Sequence, residues 1–217
     1  MTDQKNMEEV ARLGPDFLGF VFHPPSPRDV SGKISGLRFD RLPQGIKKVA
    51  VLVNPELETA RALIGRYGFD AVQLHGEESP SLCRELQKDC LVIKSFSVGA
   101  CLPDHVCEYE ESADIFLFDT AGKSRGGNSE AFDHAILKNY GGQTPFFIAG
   151  GISPAHAASL DGLQALHPAF QKFAGADLNS RFEIRPGIKD PGLLSAFFEG
   201  FKRKGKEQNT VPDGTES

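Results

Sequence analysis

A chain of 217 residues with 40% hydrophobic content is long enough to bury one full core, and its net charge of -5 offers no basic face to a nucleic acid or an anionic membrane. Its cysteines, Cys83, Cys90, Cys101 and Cys107, form no Cys-x-x-Cys pair and no Cys/His zinc spacing, which argues against a disulfide framework or structural metal and for reduced thiols in a cytoplasm. No apolar run reaches the roughly 18 residues that span a bilayer, and the polar opening MTDQKNMEEV is unlike a signal peptide.

Residues 2–13 are predicted to form a helix capped by Thr2, with Met7, Val10 and Ala11 as its apolar stripe and Gly14-Pro15 as its end. Phe17-Leu18-Gly19-Phe20-Val21-Phe22 follows as a nearly continuous apolar strand, of the kind buried on both faces. The loop HPPSPRDVSGK and a weak helical segment at 36–42 lead to a strand at 49–53. Asn54-Pro55 then reads as a cap with proline at the first helical position, and Leu57, Ala60, Ile64 and Tyr67 mark a helix face closed by Gly68. The unit repeats as a strand at 71–74, the loop His75-Gly76-Glu77-Glu78, the cap Ser79-Pro80 and a helix presenting Leu82 and Leu86. It repeats again as a strand at 92–96 and a short helix at 103–111.

The next strand, at 115–119, ends abruptly in the carboxylate of Asp119 and leads into the glycine-rich loop 122–127 and a helix with Phe132, Ile136 and Tyr140 on one side. Phe146-Phe147-Ile148-Ala149 enters Gly150-Gly151-Ile152-Ser153-Pro154, a glycine turn with a Ser-Pro helix start. A helical region runs to about residue 172, a last strand is expected at 175–178, and a final helix capped by Asp190-Pro191 shows Leu193, Leu194, Phe197, Phe198 and Phe201 at helical spacing. Residues 1–201 are thus expected to form one domain, and the polar stretch 202–217 a disordered tail.

Strands and helices that alternate in this way imply parallel crossovers, in an eight-fold barrel or in an open doubly wound sheet. Seven strands and about eight helices, with a helix first and a helix last, describe a (βα)8 TIM barrel whose strand 1 is missing, and such a barrel would leave strand edges facing a vacant slot.

In a fold of this kind the chemistry sits at the carboxyl ends of the strands. Asp119 is the candidate acid: flanked by Phe116 and Phe118, its carboxyl is expected to be poorly solvated and raised toward a general-acid pKa, whereas the plain alternative is a loop cap. Gly150-Gly151 before a helix start can bring backbone N–H groups to a phosphate, with Asp177-Leu178-Asn179-Ser180 beside it, or can be a tight turn only. Arg28, on a proline-limited loop, reads as a carboxylate partner or as a solvated surface arginine. His75 at a strand end is equally a packed, a capping or a catalytic histidine. Cys83 and Cys107 are expected in the core, and Cys101 on a loop that could face a site.

Seven short motifs in order resemble the phosphoribosylanthranilate isomerases of tryptophan biosynthesis over nearly the whole chain to about residue 201. They are the strand at 17–22 with Ser26-Pro27-Arg28, Val53-Asn54-Pro55, Asp70-Ala71-Val72-Gln73-Leu74-His75-Gly76, Phe118-Asp119-Thr120, Ala149-Gly150-Gly151-Ile152-Ser153-Pro154 and Pro186-Gly187-Ile188-Lys189-Asp190. The resemblance implies a (βα)8 barrel that performs an Amadori rearrangement on a small phosphorylated substrate without a cofactor, as a monomer or homodimer. It assigns Asp119 as the acid that protonates the furanose ring oxygen, Arg28 as the partner of the anthranilate carboxylate, and Gly150, Gly151, Asp177, Asn179 and Ser180 as the phosphate cup, with His75 also binding substrate. The base in that family is a cysteine, next to a glycine, at the end of the first strand, and Met1-Thr2-Asp3 resembles the residues just after that Cys-Gly pair. Arg181 stands where many members have glycine. The alternative reading is an N-terminally truncated, catalytically impaired phosphosugar-binding barrel.

Overall fold

The structure is a computed structural model that describes residues 1–120 and 133–201. The expected loop 122–127, Phe132 and the tail 202–217 lie outside the described residues. Among the described residues seven strands form the main sheet: β1 (Phe17–Phe22), β2 (Lys47–Leu52), β3 (Ala71–Leu74), β4 (Leu91–Val98), β5 (Ile115–Thr120), β6 (Phe146–Ile148) and β7 (Phe173–Ala176). Neighbours are parallel, and their order in space is their order in the chain. A doubly wound sheet reverses its strand order at a switch point, so that alternative is excluded. Laid flat, β1 and β6 would stand roughly 24 Å apart at about 4.8 Å per strand. Instead, Phe17 on β1 and Phe147 on β6 meet edge to face with ring centroids 5.6 Å apart. The sheet is curled into an incomplete barrel.

Strand alternation sorts the apolar side chains into two layers. Val49, Ala71, Ile93, Leu117 and Ala149 point inward and pack together with Phe17 and Phe147. Phe20, Val72, Phe96, Phe116, Phe118 and Phe146 point outward, where Met7, Ala60, Ile64, Leu86 and Phe197 of the surrounding helices cover them. These helices are α1 (Gln4–Ala11), α2 (Leu57–Tyr67), α3 (Pro80–Leu86), α4 (Ala157–Asp161), α5 (Leu163–Leu166) and α6 (Pro191–Gly200). Gly68 ends α2 at φ 62°, a left-handed position that favours glycine, and Ser79 and Asp190 cap α3 and α6 through their side chains, as the sequence leads one to expect.

Several local expectations are corrected. The cap of α1 is Asp3, which accepts from the Asn6 N–H, while the Thr2 hydroxyl donates to Gly187 O. Asn54 does not cap α2, which starts after Glu56; at φ 47° its side chain instead accepts from the Glu77 N–H and so ties two strand-end loops together. The segments at 36–42 and 103–111 form 3-10 turns, as does His134–Asn139 after β5. Strand β7 begins two residues before the expected 175, where Phe173 anchors it, and Asp177 and Leu178 have already left the sheet. An antiparallel hairpin, β8 (Glu183–Arg185) and β9 (Ile188–Lys189), is absent from the sequence expectations, because two or three residues per strand give no readable period; only its Pro186-Gly187 turn is a sequence signal.

The curled sheet is not closed by hydrogen bonds. β1 and β7 are its two ends, each paired on one side only among the described residues. The backbone nitrogen of Met1 donates to Gly19 O of β1 at 2.9 Å and Thr2 N–H to Gly187 O at 3.2 Å, so the chain's first residues lie against this seam. No helix among the described residues is long and apolar enough to cross a membrane.

Candidate active site

A cavity of about 1260 Å³ opens inside the curl, and Arg28, His75, Asp119, Gly150, Gly151, Asp177, Asn179 and Ser180 all line it. Each belongs to the carboxyl end of a strand or to the loop that follows, so parallel strands in sequential order bring eight residues from distant parts of the chain to one place. Cys101 is exposed on the loop after β4 and is not part of the lining; Cys107, expected in the core, is exposed too, whereas Cys83 is buried.

Asp119 ends the inward row of β5, after Ile115 and Leu117, and its carboxylate is about one-third exposed to the cavity. Phe116 and Phe118 lie on the opposite face, packed against Tyr140 and Phe146, so the apolar surroundings expected for this carboxyl are not there. Its neighbours are polar. His75 Nε2 stands 3.5 Å from Asp119 Oδ2, and the Gln73 side-chain nitrogen lies 3.1 Å from His75 Nδ1. An amide nitrogen donates, so Nδ1 accepts and the neutral imidazole carries its proton on Nε2, toward Asp119. Gly150, at φ 81°, closes the other side: a Cβ there would overlap the Asp119 carboxylate and the Thr120 hydroxyl. Ser153, read as the helix start behind this turn, uses its N–H and hydroxyl on His156 Nδ1.

On the far side of the cavity Asp177 is pushed above the ordinary carboxylate range, chiefly by burial and also by Asp119 and Glu183, against the opposing charge of Lys189. Lys189 is pushed below its ordinary value, first by burial and also by Arg28, although Glu183 and Asp177 pull the other way. Glu183 sits below its ordinary range: burial pushes it up, but hydrogen bonds from Arg28 and Gly187 and the charges of Lys189 and Arg28 together outweigh that. The Arg28 guanidinium is bound to Glu183 through Nε and Nη2, the latter at 2.6 Å, which leaves Nη1 as the nitrogen not used by this partner.

The loop that carries His75 is held from beneath by a buried ion pair. Glu78, with its side chain 0% exposed, accepts from the N–H groups of Asn54 and Gly76 and from Lys94 Nζ at 2.9 Å. Lys94, on the outward row of β4 and 3% exposed, also donates to the carbonyls of Leu74, Gly76 and Ser95 and lies over the rings of Phe96 and Tyr109. Tyr109 donates to Glu78 O. The loops after β2 and β3 and the strand β4 thus converge on one carboxylate.

The family model for N-(5'phosphoribosyl)anthranilate (PRA) isomerase matches residues 1–200. The chain belongs to the phosphoribosylanthranilate isomerase family. A relative from Parabacteroides distasonis, N-(5'-phosphoribosyl)anthranilate isomerase, is 38% identical over 218 residues, 99% of this chain and 96% of the relative. One of the same name from Phocaeicola vulgatus is 37% identical over 94% of this chain and 96% of its own. Among solved structures, phosphoribosyl anthranilate isomerase from Thermotoga maritima superposes with a TM-score of 0.76 at 28% identity, covering 92% of this chain and 94% of that one. A family structure in complex with reduced 1-(o-carboxyphenylamino)-1-deoxyribulose 5-phosphate superposes with a TM-score of 0.73 at 27% identity, with the same coverage. Membership favours an enzyme over the impaired phosphosugar-binding barrel.

The sequence alone assigns no role to Gln73, Glu183 or Lys189. Gln73 and Lys189 stand inside motifs that carry the family resemblance, so a signal is there; Glu183 lies between two motifs and has none.

Proposed function

We propose that this chain converts N-(5'-phosphoribosyl)anthranilate to 1-(2-carboxyphenylamino)-1-deoxyribulose 5-phosphate, an Amadori rearrangement in tryptophan biosynthesis that takes no cofactor. The observation that carries this reading, in a chain of this family, is the arrangement around one cavity of an acid against an imidazole, a guanidinium, and two turns of the kind that suit a phosphate. The reduced compound held by the relative carries a carboxyl group and a phosphate by name. Arg28 suits the first, and Gly150, Gly151, Asn179 and Ser180 suit the second.

In this mechanism Asp119, in its acid form, gives its proton to the furanose ring oxygen as the C1'–O bond breaks. The bond pair goes to that oxygen, and the lone pair of the anilino nitrogen forms the C1' iminium. A base then takes the C2' proton, the electrons of that C–H bond neutralise the iminium, and the resulting enol tautomerises to the amino-ketose. His75 Nε2–H faces the Asp119 carboxylate left behind and stabilises it.

We further propose that the catalytic form is an eight-stranded barrel in which one more parallel strand occupies the seam between β1 and β7 and carries the base, a cysteine by resemblance to the family. The facing strand ends and the cavity that reaches Gly19 on one side and Gly175 on the other support this reading. The experiment has two arms. Asp119→Asn should lower kcat by roughly 10²- to 10⁴-fold and change KM far less, and an Asn variant with unchanged turnover refutes the role of the acid. Joining the segment Met-Lys-Ile-Cys-Gly ahead of Met1 should raise turnover, while the same segment with alanine for cysteine should not; equal rates in all three forms sink the assignment of the base.

A further inference from the structure

The proposed function uses Arg28 and the phosphate turns as separate devices, but the structure joins them through Glu183. This side chain is 4% exposed, and its carboxylate accepts from Arg28 Nε at 2.9 and 3.0 Å, from Arg28 Nη2 at 2.6 Å, from the Gly187 N–H at 3.1 Å and from Lys189 Nζ at 3.4 Å. Lys189 Nζ in turn donates to Leu178 O and to Asn179 Oδ1, both at 2.9 Å. The peptide between Leu178 and Asn179 is trans, so its C=O and N–H point in opposite directions, and pinning the carbonyl to Lys189 turns the Asn179 N–H away from that lysine. Arg28 follows β1 and Leu178 follows β7, the two ends of the open sheet. No strand ladder couples these loops among the described residues; Glu183 does so through side chains.

The distances are unequal in a way that matters. Arg28 holds Glu183 tightly at 2.6 Å, while Lys189 stands back at 3.4 Å. When a ligand carboxylate takes over part of the Arg28 hydrogen bonding, more of the Glu183 charge falls to Lys189, which has room to approach. Arg28 and Lys189, the two cations around this carboxylate, both line the cavity, as does Asp177, so each end presents a cation to an anion.

We propose that Glu183 is a positioning residue that couples the two anion-holding ends of the site: it orients Arg28 for the substrate carboxylate and, through Lys189, sets the 178–180 turn for the phosphate, so that filling one end tightens the other. This rests on the proposed function. Anthranilate and inorganic phosphate serve as probes of the two ends, each titrated into the full chain by NMR with and without the other. In the unsubstituted protein saturating phosphate should tighten anthranilate binding by roughly fivefold, and anthranilate should tighten phosphate binding by the same factor. Glu183→Gln should abolish this coupling and weaken both probes by roughly tenfold. Arg28→Met should weaken anthranilate alone and Lys189→Met phosphate alone. Glu183→Asp, which keeps the charge on a shorter stem, should recover part of both affinities, a rescue that a merely structural role does not supply. Independent or competitive binding of the probes in the unsubstituted protein overturns the coupling while the proposed site stands. Binding of neither probe overturns the proposed site and this inference together.

Discussion

Replacing Lys94 by methionine isolates the cost of the support beneath His75. The stem of the side chain can be mimicked, so the change falls on Nζ, which has four acceptors: Leu74 O at 3.4 Å, Gly76 O at 2.8 Å, Glu78 Oε2 at 2.9 Å and Ser95 O at 3.2 Å. Glu78 is left 0% exposed with backbone N–H donors only. Removing one partner of a buried ion pair costs about 3–5 kcal/mol, and the surviving N–H bonds place this case near 3 kcal/mol. For a domain of this size that is a fall in Tm of roughly 6–12 °C. Lys94→Met/Glu78→Gln removes the orphaned charge and should be more stable than Lys94→Met alone. Urea unfolding at neutral pH followed by circular dichroism measures all three proteins. A loss below about 1 kcal/mol in the single variant, or a double variant no better than the single, would refute the reasoning that this pair is coupled and desolvated.

Gly150→Ala should cost roughly 1–3 kcal/mol, because the backbone stands at φ 81° and the new Cβ meets the Asp119 carboxylate; an unchanged Tm speaks against the tight approach. Glu110 is pushed up by burial but brought below its ordinary value by hydrogen bonds from Tyr140, Gln143 and Thr144, so its contribution to stability is complete above the unfolded value of about 4.5 and is lost as pH falls through the lower folded value. Glu110→Gln should therefore be less stable at pH 7 and show a shallower loss below pH 4.5, as read by urea titrations across that range. Burial pushes the thiols of Cys83 and Cys90 up to about 11, whereas Cys101 and Cys107 are exposed, so a thiol reagent at pH 8 should label these two rapidly, the half-buried Cys90 slowly and the buried Cys83 only in denaturant.

The strands were legible because a parallel sheet covered on both faces needs unbroken apolar runs, and 17–22 and 115–119 are such runs. Curl and strand order follow from pairing between segments far apart in sequence, so the residues left a barrel and a doubly wound sheet both open. The turns that close helices were readable where a side chain makes the bond itself, as at Ser79 and Asp190, and misread at Asn54, whose partner lies 23 residues away. Asp119 stood out by ending an apolar strand, but which face it occupied depended on a two-residue period that the flanking phenylalanines obscured. Glu183 was invisible for a related reason: its meaning lies in Arg28, 155 residues away, and no local pattern records that distance.

One buried side chain has a bearing on how the molecule is made. Asn6 donates to Lys189 O and accepts from Lys189 N–H, both at 2.8 Å, and so takes the place of a neighbouring strand for the short hairpin. As the ribosome extends the chain, each strand can pair with the one made just before it, and those contacts form early. Asn6 must wait for a residue 183 positions later. Until then its amide has no main chain to replace, and that end of α1 is held only by earlier-made segments, through Met1 N on Gly19 O and the Arg38 N–H on the Gln4 side chain. The order of synthesis therefore sets the order of assembly, with the join between first helix and last hairpin completed only when nearly the whole chain has emerged.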